Sequence, residues 1–174
     1  MKLLSQIRLL LLSIWLGSSV FFIGVAQSAF AVIEARDLAG AVVNRNLMIL
    51  NIGGLAIAVL LLLTSFIGSA RIGSFSAWFE RFLLIVIAAA CAVGQFVISF
   101  WMASIRSQIS GPIEQVAADD PLKIQFDLLH QWSVRVLMIG MAAALIAFFV
   151  IAARKFIEPK QTAEIYDFKK EFKI

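Results

Sequence analysis

Long apolar blocks alternate with short polar ones along this chain. Leu9–Ile33, Leu47–Ala70, Phe82–Ile105 and Val136–Ala153 contain no Asp, Glu, Lys or Arg. A hydrocarbon layer of about 30 Å is crossed by about 20 helical residues, so each block is long enough to span a bilayer. The fourth is the shortest, and Gln131, Trp132 and Ser133 extend it into the interface, giving a span of about 134–153. Inside lipid a segment must satisfy its own backbone hydrogen bonds, which selects helices. No ten-residue stretch alternates with period two, as the strands of a barrel would. The pattern predicts an all-α integral membrane protein: a four-helix antiparallel transmembrane bundle over residues 1–158, followed by a basic tail at 159–174.

Composition supports this class. Of 174 residues 61% are hydrophobic and only 15% charged, against about 45–50% apolar and about 25% charged in soluble domains. The surplus apolar surface has to face lipid, so the bilayer is the first expected partner. MKLLSQIR resembles the basic start of a signal peptide, and Ala29-Phe30-Ala31 mimics its cleavage site. The apolar block between them far exceeds the about 7–15 residues of a signal sequence, so retention as a helix is expected.

Charge sets the expected orientation. Lys2, Arg8, Arg71, Arg81, Arg154, Lys155, Lys160, Lys169, Lys170 and Lys173 fall on one side, and Arg36, Arg45, Arg106, Lys123 and Arg135 on the other. The basic excess predicts both termini on the cytoplasmic side, in a bacterial cytoplasmic (inner) membrane. The same distribution argues against nucleic acid as a partner, because the basic residues flank apolar blocks and form no continuous patch. In the tail, FKKEFKI sets Phe168 and Phe172 one helical turn apart beside three lysines, a pattern that can rest on an anionic leaflet.

The polar punctuation predicts helix ends. Asp37 is placed to cap the second helix, Gly111-Pro112 to end the third, and Asp120-Pro121 to open the fourth, with Glu158-Pro159 closing it. Small residues four apart (Gly24 with Ser28, Ala90 with Gly94, Gly140 with Ala144) and the pair Gly53-Gly54 are expected to let helices approach closely. Gln27, Asn51 and Gln95 lie within spans and are expected to face the bundle interior as intramembrane polar contacts.

Candidate chemistry gathers at the non-cytoplasmic mouth, where the predicted topology places Glu34, Arg36, Asp37, Asn44, Arg45, Arg106, Asp127 and His130. Asp127 and His130 are three residues apart on one helix, and Lys123 lies four before Asp127. A carboxylate beside an imidazole can orient a metal-binding tautomer, which makes Asp127 and His130 the candidate metal ligands. The plainer reading is a set of solvated charges neutralised by Arg36, Arg45 and Arg106. One histidine excludes bis-histidine haem, leaving single-histidine ligation of a cofactor or metal at His130; no cofactor is predicted. The lone Cys91 excludes an internal disulfide, and Met48, Met102, Met138 and Met141 read as apolar filler before copper ligands. No phosphate loop, nucleophile–base pair or zinc-protease motif is present, so no enzyme is expected.

Three stretches together, IWLGSSVFFIGVAQSAFAVI, RDLAGAVVNRNLMILNIGG and FDLLHQWSV, resemble the transmembrane protein 205-like family. The resemblance is carried by Leu16-Gly17, Ala26, Phe30, Ala39-Gly40, Phe126, Leu129-His130 and Ser133, and departs where relatives have Ala-Pro in place of Ala26-Gln27. It implies a small four-helix membrane protein without an assigned reaction, and its likeness to the membrane part of copper-resistance proteins bears on the metal reading. Two functions are therefore expected in order. The first is a non-enzymatic accessory or structural subunit, packed against other membrane subunits or copies of itself. The alternative is a small transport or metal-handling protein with an outer-face site around His130.

Overall fold

The computed structural model describes residues 2–66 and 74–153. Among them the chain is helical, with no strand: α1 (Lys2–Val32), α2 (Arg36–Ser65), α3 (Ser74–Ala92), a π-helical segment (Val93–Ile98), α4 (Ser99–Gln108), a 3₁₀ turn (Ile113–Gln115) and α5 (Pro121–Ala152). The segment from α3 through α4 is one continuous span. Each of the four spans is long and apolar enough to cross a membrane. Side chains such as Phe21, Phe75, Phe100 and Phe149 point outward, an arrangement that costs free energy in water and none in lipid.

The spans pack in a ring: α1 lies against α2 and α5, and the third span lies against the same two. The core runs along the shared axis, from Leu12 and Trp15 of α1 through Leu50 and Leu61 of α2, Leu84, Ile87 and Cys91 of α3, to Ala144 and Ala147 of α5. Over its first turns α1 buries Arg8, Leu12, Trp15 and Ser19, and Ala29 follows near its end. In the third span Ala77, Glu80, Leu84, Ile87, Cys91, Gly94 and Ile98 are buried in one series, with Leu83 beside it and Ile105 beyond it. Both series keep the three-and-four spacing that holds one helix face towards its neighbours.

The helices are longer than the apolar blocks that predicted them. α1 starts at Lys2, before Arg8, α2 starts at Arg36, and α5 has its first turns before Ser133. Helical hydrogen bonding does not require apolar side chains, so charged turns continue a span wherever their charges meet partners or water. The expected end of the second span at Ala70, and the tail from Arg154 onward with its Phe168–Phe172 pattern and Glu158-Pro159 stop, lie outside the described residues.

The ends follow local chemistry with one correction. Asp120 caps α5, its Oδ1 accepting the Leu122 N–H at 2.7 Å, with Pro121 beginning the helix. Gly111 takes a φ of +96°, the left-handed backbone that reverses the chain after α4. Asp37 does not cap α2. The N-cap is Ala35, without a side-chain bond, and Asp37 in the first turn turns its carboxylate across to Arg106. Asp120→Ala should therefore cost about 1 kcal/mol in unfolding free energy, the usual size of a lost cap. Asp37→Ala removes no cap and should owe any effect to its ion pair.

Candidate functional site

At the end where α1 meets α2, the predicted outer cluster is present but dispersed. Arg106 Nη2 lies 3.0 Å from Asp37 Oδ1, and its Nη1 donates to the Ile109 carbonyl at 3.1 Å. This joins the first hairpin to the end of the third span. Lys123 Nζ sits 3.5 Å from Asp127 Oδ2, one turn apart on α5. Arg36 lies over the Phe30 ring at 5.9 Å, and Glu34, Asn44 and Arg45 are exposed. His130 is exposed too, with no hydrogen bond or ion pair to any described residue. Asp127 is thus engaged by Lys123 and not by the imidazole that sequence spacing set beside it. Among the described residues no three His, Cys, Asp or Glu side chains converge as a metal site. Both acid–base pairs are more than a third exposed on the acid side. Solvent screening limits such pairs to about 0.2–1 kcal/mol. Arg106→Ala should therefore shift unfolding by less than about 1 kcal/mol, an effect that shrinks as salt is raised.

The middle of the bundle is organised around Trp15. Its indole is buried, donates from Nε1 to the Leu50 carbonyl at 3.1 Å, and covers Gly54 so closely that a Cβ there would overlap the ring. The same ring reaches α5, where a Cβ on Gly140 would lie 3.4 Å from Cη2. Gly54 and Gly140 are therefore the small residues that close the bundle, while Gly24 and Gly53 have nothing within 4 Å of where a Cβ would be. Beside the indole the third span departs from α-helical winding. Over Val93–Ile98 the hydrogen bonds lengthen to the π pattern, and Ser99 Oγ donates to the Gly94 carbonyl at 2.9 Å. Asn51 is buried and stands against Gly94, its Nδ2 3.2 Å from the position a Cβ would take.

Of the three intramembrane amides, Asn51 faces the interior as expected. Gln95 buries its Oε1, without a partner among the described residues, on the π-helical segment. Gln27 does not face the interior; it is exposed. The buried stripe of α1 runs through Trp15, Ser19 and Ala29. Gln27 is rotated about 100° from the position before it, which puts it outside that stripe.

The opposite end holds a site that the charge-free blocks concealed. Arg8 and Glu80 are almost wholly buried, at 4% and 0% exposure, and Arg8 Nη2 meets Glu80 Oε1 at 2.6 Å. The same Nη2 donates to the Leu61 carbonyl at 2.7 Å. One guanidinium thus ties α1 to the last turns of α2 and the first turns of α3. Next to it Arg81 donates from Nε to Ser65 Oγ at 3.1 Å and from Nη2 to the Ser65 carbonyl at 3.2 Å, stacking 4.2 Å over the Phe66 ring. At Arg8 a single guanidinium nitrogen, which carries two N–H groups, thus serves both the Leu61 carbonyl and the Glu80 carboxylate. Arg8 and Glu80 stood in the sequence as flanking charges. The signal that exposes them is helical phase: Arg8 continues the buried series of α1, and Glu80 that of α3.

A family model for a domain of unknown function, DUF4149, matches residues 10–110. The chain belongs to the DUF4149 family. The DUF4149 match takes in Trp15, Asn51, Gly54, Glu80 and Gly94, and leaves Arg8, Asp127 and His130 outside it. It bears out a membrane domain of unknown function and lends no support to the transmembrane protein 205-like name. No curated protein and no solved structure matches the chain.

Proposed function

We propose that this DUF4149 protein is a non-enzymatic membrane subunit whose first helix packs against a further membrane-spanning helix. The supporting observation is the outward face of α1. Ser13, Gly17, Gly24, Gln27 and Ser28 are all exposed there, and nothing lies within 4 Å of a Cβ built on Gly17 or Gly24. Lipid tails give an amide no hydrogen-bond partner and gain nothing from small residues, whereas a second helix gains from both through close backbone approach. α1 is also the span least buried by its own chain. The basic excess at the Arg8 end supports a cytoplasmic placement of that end.

Native mass spectrometry of the chain, released gently from its own membrane at natural abundance, tests this reading. The expected result is a mass above one chain, from other polypeptides or further copies, that falls to one chain in Gly17→Leu/Gly24→Leu. His130→Ala should leave both the assembly and the unfolding free energy unchanged. A single bare chain, in wild type as in the double variant, would overturn the proposal.

A further inference from the structure

We infer that the bundle holds one water molecule, bound between Asn51 of α2 and Ser133 of α5. A crevice there is lined by Trp15, Asn51, Cys91, Gly94, Ser133 and Gly140 among others, and leaves about 10 Å³ for the centre of a water-sized sphere. That volume is close to the smallest that holds one water, and too small for a larger ligand. Two polar side chains line it without a hydrogen bond to any described residue. Asn51 is 5% exposed, yet its carboxamide has no such bond. The Ser133 hydroxyl has none either.

Asn51 lies within the uncharged block of α2, four residues past Leu47, and is buried. A buried amide needs a partner, and lipid supplies none. Water is the ligand that fits both the volume and the chemistry: it accepts from Nδ2 and donates to Oδ1 or to the serine hydroxyl. Gly94 makes the room, since a Cβ there would press on the Asn51 amide. Such a water would join α2 to α5 across the ring, where these helices do not pack directly on each other. Ser133 and Leu47 carry the lining towards the Asp37 end, which is the side from which water enters.

Water-edited solid-state NMR of the full chain, in bilayers with deuterated acyl chains, reads this directly. Polarisation from water should reach the Asn51 side-chain amide and the Gly94 backbone amide at the short mixing times of the 109–120 segment. The dry-core amides of Leu61 and Ala144 should lag behind. Asn51→Leu should abolish the early transfer at Gly94, and Ser133→Ala should weaken it. If wild-type Asn51 lags like Ala144, or if Gly94 keeps its early transfer in a folded Asn51→Leu, the inference is overturned. The wild-type arm decides the matter even if the variant does not fold.

Discussion

Gly54→Ala is expected to destabilise the bundle by about 1–3 kcal/mol, the cost of forcing extra volume into a filled core. The new Cβ would sit 2.7 Å from Trp15 Cε2 and 2.8 Å from Cys91 Sγ, and would overlap the indole nitrogen as well. A rigid indole cannot yield locally as the end of a flexible chain can. It has to move as a unit, giving up its bond to the Leu50 carbonyl and its contact with α5. Trp15→Ala removes the ring altogether and should cost about 3–5 kcal/mol, because the ring fills the axis between all four spans. The two changes are predicted to be strongly coupled. In a Trp15→Ala background both ring clashes are gone and the Cys91 sulfur is the nearest neighbour left, so most of the cost should vanish. Steric-trap or detergent-titration unfolding in bilayer mimics gives the four free energies of this cycle. Equal costs for Gly54→Ala in both backgrounds would show that the indole is not what the glycine accommodates.

The second large effect is expected at the Arg8 end. Glu80→Ala leaves the Arg8 guanidinium charged and buried, and breaking a pair of this kind costs about 3–5 kcal/mol. Arg8→Ala gives up the same contact together with the bond to the Leu61 carbonyl. Replacing both with Met should recover much of that loss, since the desolvation cost of two ions disappears with them. Arg8→Lys is not conservative here. A lysine keeps the charge but ends one rigid planar group short of arginine. Its ammonium must therefore shift to meet the Leu61 carbonyl and the Glu80 carboxylate that Nη2 reaches together. Unfolding free energies of the two single variants, the double Met variant and Arg8→Lys test the argument. Additive single costs in the double variant would count against a direct pair.

These two sites differ in how far the sequence disclosed them. The four spans, the Asp120-Pro121 start and the Gly111 reversal were readable because each rests on local chemistry: apolar length, a cap, a residue free to take positive φ. Asn51 was readable as an interior amide because a polar group in mid-span is costly against lipid. Gln27 carried the same signal and faces outward, since composition reports that an amide is present and not the direction in which its helix turns it. Asp127 and His130 shared a helix face, yet Lys123 took the carboxylate, and the exposed imidazole has no hydrogen bond or ion pair to a described residue. Glu80 was missed because it precedes the uncharged block, although its spacing from Leu84, Ile87 and Cys91 places it on the face that became buried.

By itself, then, the sequence determined the class and number of elements. Twenty-odd uncharged residues in a row can only be hidden in a bilayer, and there only helices satisfy the backbone. What it could not determine was which stripe of each helix became the core. In a soluble helix the outward face is polar and marks the inward one by contrast. Here the outward face meets lipid as apolar as the interior, so Phe21 and Leu12 look alike until the helices dock. Tertiary structure alone chose Gly54 over Gly53 as the seat for Trp15. It also brought Arg8 beside Glu80, because both decisions depend on the rotation of one helix against another.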